Sequence, residues 1–107
     1  MKPEKVIFFN EDLENSFNEL SENDSLKKAM KRAIVNLQEN AFAGRNVKKK
    51  LIPRQLKEKY SITNLWIYNL PDSWRLLYSI TSSGDVEIIA AILDWMNHKD
   101  YERLFNF

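Results

Sequence analysis

Three runs of strand-forming residues lie so close together in the second half of this chain that only one kind of connection can join them. Leu65-Trp66-Ile67-Tyr68, residues 74–80 and residues 86–93 are separated by Leu70-Pro71-Asp72-Ser73 and Ser82-Ser83-Gly84-Asp85, both rich in turn formers. A parallel pair needs a crossover of a dozen or more residues, whereas an antiparallel pair needs only a tight turn. The spacing therefore predicts an antiparallel meander. Alternation along its middle strand puts Arg75, Leu77 and Ser79 on one face and Trp74, Leu76, Tyr78 and Ile80 on the other.

The first half is helical. Val6-Ile7-Phe8-Phe9 reads as a short buried strand, and Asn10 then offers an N-cap with Glu11, Asp12 and Glu14 in the first turn, where the helix dipole favours acids. Leu13, Phe17 and Leu20 recur at helical spacing, and the polar break 22–25 caps a second helix with the stripe Leu26, Met30, Ala33, Ile34 and Leu37. Lys27, Lys28, Lys31 and Arg32 lie mostly off that stripe. Two such helices joined by a short turn predict an antiparallel hairpin. Residues 39–50 follow no period and contain the turn residue Gly44. Pro53 then starts a short third helix to about Lys59. Residues 94–107 read as a strand end and a helical turn. The sum is one α+β domain over residues 1–107, with a helical hairpin packed on one face of a small, mostly antiparallel sheet. The apolar set on the middle strand is expected to face the helices, leaving Arg75 to project from the far face beside Tyr68 or Ile67.

Charge is segregated along the chain. Residues 1–24 carry two basic and seven acidic groups, residues 25–59 eleven basic and two acidic, and residues 60–107 three basic and six acidic. A net +9 middle between acidic flanks points to an anionic partner more than the overall +1 does. The chain has no cysteine, which suits a reducing compartment, and one histidine, which argues against a zinc centre. Two glycines, Gly44 and Gly84, make no phosphate-cradling loop. No apolar run reaches membrane-span length and the start has too few apolar residues for a secretion signal, so a cytoplasmic protein is expected.

An arginine inside an apolar strand loses hydration unless something partners it. Arg75 is followed by His98-Lys99-Asp100-Tyr101, which adds groups able to move protons. The element order and the strand Trp74-Arg75-Leu76-Leu77-Tyr78-Ser79-Ile80 resemble the RelE/ParE superfamily of type II toxin proteins. The resemblance implies the toxin half of a toxin–antitoxin pair, a ribosome-dependent mRNA endonuclease. In such an enzyme the RNA 2′-hydroxyl attacks the adjacent phosphate, with no metal or other cofactor. It further implies that Arg75 clamps the phosphate, Tyr101 orients a base and His98 transfers protons. Lys48, Lys49, Lys50, Arg54 and Lys99 are the candidate RNA-binding residues. The implied partners are mRNA on the ribosome and a cognate antitoxin that covers the basic surface and through which the protein oligomerises.

Aligned without a gap from Arg75, Trp66 and Tyr68 fall where several RNA-cleaving members place two basic residues. Three outcomes stay open: a lysine of 48–50 reaches the site, His98 carries catalysis, or the member is weak or inactive. A gyrase-binding toxin of the ParE kind and an inert interaction domain are the alternatives. Bland readings stand beside each residue. Arg75 pairs with Asp94 or Glu87, His98 is a solvated residue, Tyr101 and Phe105 pack a terminal helix, and the lysines are surface.

Overall fold

The computed structural model describes residues 5–83 and 87–106. Five strands, β1 (Lys5–Phe8), β2 (Arg45–Asn46), β3 (Trp66–Asn69), β4 (Arg75–Ser83) and β5 (Glu87–Met96), form one sheet in the order β1-β5-β4-β3-β2. β1 runs parallel to β5 and every other pair is antiparallel. The expected meander is thus β3-β4-β5. Its middle strand starts at Arg75 and runs on through Ser83, so Ser82 and Ser83, expected in a turn, belong to the strand; Gly84, Asp85 and Val86 lie outside the described residues. β2 was hidden in sequence because only two residues form it.

The four helices are α1 (Glu11–Glu19), α2 (Ser25–Glu39), α3 (Arg54–Tyr60) and α4 (His98–Phe105). α1 begins where Asn10 accepts the Leu13 N–H, and α2 where Asp24 accepts that of Leu26. These are the expected hairpin. α3 starts one residue later than expected, with Pro53 as its N-cap. α4 is capped by the Asn97 side chain, which accepts the Asp100 N–H.

Alternation sorts the meander as expected but gives the sheet two cores. Leu76 and Tyr78 bury with Phe17, Met30, Ala33 and Leu37 beneath the hairpin. Leu77 and Leu93 bury on the other face with Ile67, Leu56, Tyr60 and Tyr101, under α3 and α4. The helices therefore cover both faces, not one. A β-bulge lets β5 serve both: Leu77 faces Asp94 while the next residue, Tyr78, faces Ile92, and Leu93 is the inserted residue. β1 is an edge strand with alternating exposure, not a buried one, because its outer side has no neighbouring strand.

Lys27 also departs from expectation. It is 3% exposed. Its ammonium donates to the Leu20 carbonyl at 3.0 Å and meets the Glu22 carboxylate at 2.7 Å, tying the end of α1 to α2. The four-carbon stem lies against the core and only the charged head turns to the hairpin connection.

Candidate functional site

Arg75 lies on the sheet face covered by α3 and α4, at the end of β4 where the covering layer meets solvent. Its register partners are Asn69 on β3 and Met96 on β5, not Tyr68 or Ile67 as anticipated. The guanidinium carbon sits 5.1 Å from the Tyr101 ring centroid, a cation–π distance. The Arg75 Nε is buried and has no hydrogen-bond partner, and its Nη1 reaches only the Trp74 carbonyl at 3.4 Å. An unpartnered buried donor costs about 1–3 kcal/mol, and the contacts that hold the guanidinium are the Tyr101 ring and the long bond to Trp74.

A second guanidinium completes the cluster. Arg45, on β2, donates from Nη2 to the Tyr101 hydroxyl at 2.9 Å. Arg45 faces Ile67, which faces Leu77, so the three strands bring it to the same side as Arg75. Tyr101 is 5% exposed and lies 4.8 Å from the Phe105 ring. It is a packed residue whose ring holds one arginine and whose hydroxyl holds the other. Sequence reasoning missed Arg45 because it falls in the stretch without period. The available signal was its place beside Gly44, whose N–H donates to the buried Tyr78 hydroxyl and so anchors β2 to the sheet.

Ion pairs among the described residues are Lys27–Glu22, Lys31–Glu22, His98–Glu102 and Arg103–Asp100. Arg75 is therefore not the structural partner of Asp94 or Glu87. Asp94 pairs with Leu77, two residues along β4 from Arg75 and on the same face, and its carboxylate accepts its neighbour Trp95's N–H at 2.8 Å. Burial pushes that carboxyl above its ordinary pKa, with the Trp95 N–H opposing.

Trp66 and Tyr68 do not face the site. They pair with Tyr78 and Leu76 and pack on the hairpin side, where the Tyr68 hydroxyl accepts from Asn36 and Trp66 stacks on Tyr78. The two aromatics are thus on the face opposite Arg75. The β3 side chains on Arg75's face are Ile67 and Asn69, and the extra cation comes from β2.

The other sequence candidates fall into two groups. His98 opens α4, has a side chain 53% exposed and meets Glu102 one turn on at 3.0 Å. Lys99 is its exposed neighbour. Lys48, Lys49 and Lys50 occupy a short 3₁₀ turn after β2, and Arg54 opens α3; all four are exposed. A cleft of about 290 Å³ joins Arg45 and Lys48 to Tyr101, Leu51 and Phe105. The fold and site define a small α+β domain with a two-arginine, one-tyrosine cluster able to take an anion. Comparison with protein-family models, with curated proteins and with solved structures finds no match. Among the described residues, no helix is long and apolar enough to cross a membrane.

Proposed function

We propose that this protein is a RelE-like toxin that cleaves mRNA on the ribosome, in the cytoplasm, and is silenced by a cognate antitoxin. The observation that carries the reading is Arg75: a guanidinium in cation–π contact with Tyr101, without a carboxylate partner among the described residues, and with a second guanidinium bound to the same tyrosine. The outer guanidinium nitrogens of such a pair suit donation to a phosphodiester. Hydrogen bonds that strengthen as charge develops on the phosphate lower the barrier more than they tighten ground-state binding.

In this mechanism the RNA 2′-oxygen forms a bond to phosphorus and the bond to the 5′-oxygen breaks. The products are a 2′,3′-cyclic phosphate and a 5′-hydroxyl. Arg75 and Arg45 neutralise the phosphate oxygens. His98, paired with Glu102 on an exposed helical face, takes the 2′-hydroxyl proton and gives it to the departing 5′-oxygen. Tyr101 positions both arginines. Its buried ring is suited to that role more than to stacking on a base.

The test uses purified protein with mRNA-programmed ribosomes. Cleavage is expected with cyclic-phosphate ends, to fail on a message carrying a 2′-deoxy nucleotide at the cut, and to fall by roughly a hundredfold or more in Arg75→Ala. Cleavage that survives the 2′-deoxy substitution contradicts the mechanism.

A further inference from the structure

The segment from Asn40 to Lys57 contains six cations (Arg45, Lys48, Lys49, Lys50, Arg54 and Lys57) and no acidic residue. The fold spreads them along one band. Arg45 and Lys48 line the cleft at Tyr101, and Lys49, Lys50 and Lys57 line a second cleft of about 440 Å³ with Ile52, Ile62 and Thr63. Leu51, 58% exposed, stands beside the first cleft, between Lys50 and Ile52 of the second. None of these six cations has a carboxylate partner among the ion pairs of the described residues. Three ammonium groups around one unneutralised cleft repel each other, and an anion entering it relieves that repulsion.

We infer that the Lys49–Lys50–Lys57 cleft is a second binding subsite for RNA, which holds backbone phosphates outside the cleaved step. The choice of RNA rests on the proposed function of the Arg75 cluster. The band has a single sign and reaches that cluster through Arg45, which belongs to both. A strand with one negative charge per nucleotide can follow it without interruption, with its phosphates at the lysines. Lysine suits this task, since a point charge on a flexible stem tracks a backbone without reading bases. The subsite supplies affinity, and the Arg75 cluster supplies chemistry.

The test is anisotropy of a short single-stranded oligouridylate with 2′-O-methyl sugars, which the protein cannot cut. The proteins are wild type, Lys49→Gln/Lys50→Gln/Lys57→Gln, and the control Lys5→Gln/Lys28→Gln/Arg32→Gln, which removes equal charge from other exposed positions. The cleft variant is expected to bind at least roughly tenfold more weakly, with the slope of log K against log salt reduced by about two, near 0.7 per lost phosphate contact. The control retains most of the affinity and slope. Equal losses in both variants overturn the subsite, as does equally tight binding of a polyglutamate peptide of matched charge. Lys57→Gln alone, with unchanged circular dichroism, must show part of the loss; no loss also overturns it. A nuclease that cuts while the cleft variant binds normally refutes this inference alone. Lysine-dependent binding without any cleavage refutes only the proposed chemistry.

Discussion

At the scale of single residues, chemistry was easier to find than facing. Arg75 was visible in the sequence because a charge in an apolar strand demands a reason, and among the described residues it has no carboxylate partner. Arg45 was not visible, since it acts through a bond to a residue far along the chain. Lys27 looked like surface because a helical wheel follows the Cα atom, while the ammonium lies several bonds away. Its partner Glu22 carries a direct prediction. The two lysines hold the Glu22 carboxyl at a pKa of about 2, below the ordinary 4.5. A depressed carboxyl stabilises the fold above its unfolded pKa, and the contribution is lost as pH falls. Urea midpoints are therefore expected to drop as pH falls from about 4.5 toward 2, and Glu22→Gln should remove that part of the dependence. Asp94 has the opposite sign. Its raised pKa means the native state holds the proton more tightly, so stability falls as pH rises above the ordinary 3.8. Asp94→Asn is expected to gain stability over wild type at neutral pH and to lose that advantage below 3.8. Thermal melts of the two proteins across pH read both outcomes.

At the scale of elements, the hairpin and the meander were legible because both carry strong periods. Phe17, Met30 and Leu37 mark the helices, and Leu76 with Tyr78 marks the strand that meets them. Three features carry no period and were missed. β2 is too short, the bulge at Leu93 is a one-residue insertion, and α3 and α4 reveal which face they cover only once the sheet exists. Trp66 and Tyr68 fall on the face opposite Arg75 by strand alternation. A shift of one residue on a strand exchanges its faces. The two-residue β2 depends on Gly44. A Cβ there would lie 2.7 Å from both the Ile67 carbonyl oxygen and the Tyr78 hydroxyl. That hydroxyl accepts from the Gly44 N–H and donates to the Ala41 carbonyl at 2.8 Å. Gly44→Ala is expected to cost about 2 kcal/mol in chemical denaturation. It should also weaken the proposed RNA cleavage, because β2 carries Arg45. A stable, fully active Gly44→Ala protein contradicts the anchoring role.

At the scale of the whole molecule, the sheet separates two tasks. The hairpin side, with Trp66 and Tyr68, holds one core, and the other side carries the cations of residues 45–57 near α4. The uneven charge along the chain becomes a spatial asymmetry: residues 40–57 place a band of one sign next to Arg75 and Tyr101. Part of that asymmetry was legible in the net +9 of residues 25–59, of which residues 40–57 supply +6. Its convergence on Tyr101 was not, because it depends on β2 joining the sheet. The most direct measurement induces the protein in cells and maps mRNA 5′ ends for wild type and Arg75→Ala. The account predicts growth arrest with new 5′ ends inside translated messages, both lost in Arg75→Ala. Growth arrest with intact messages and damaged DNA would contradict it.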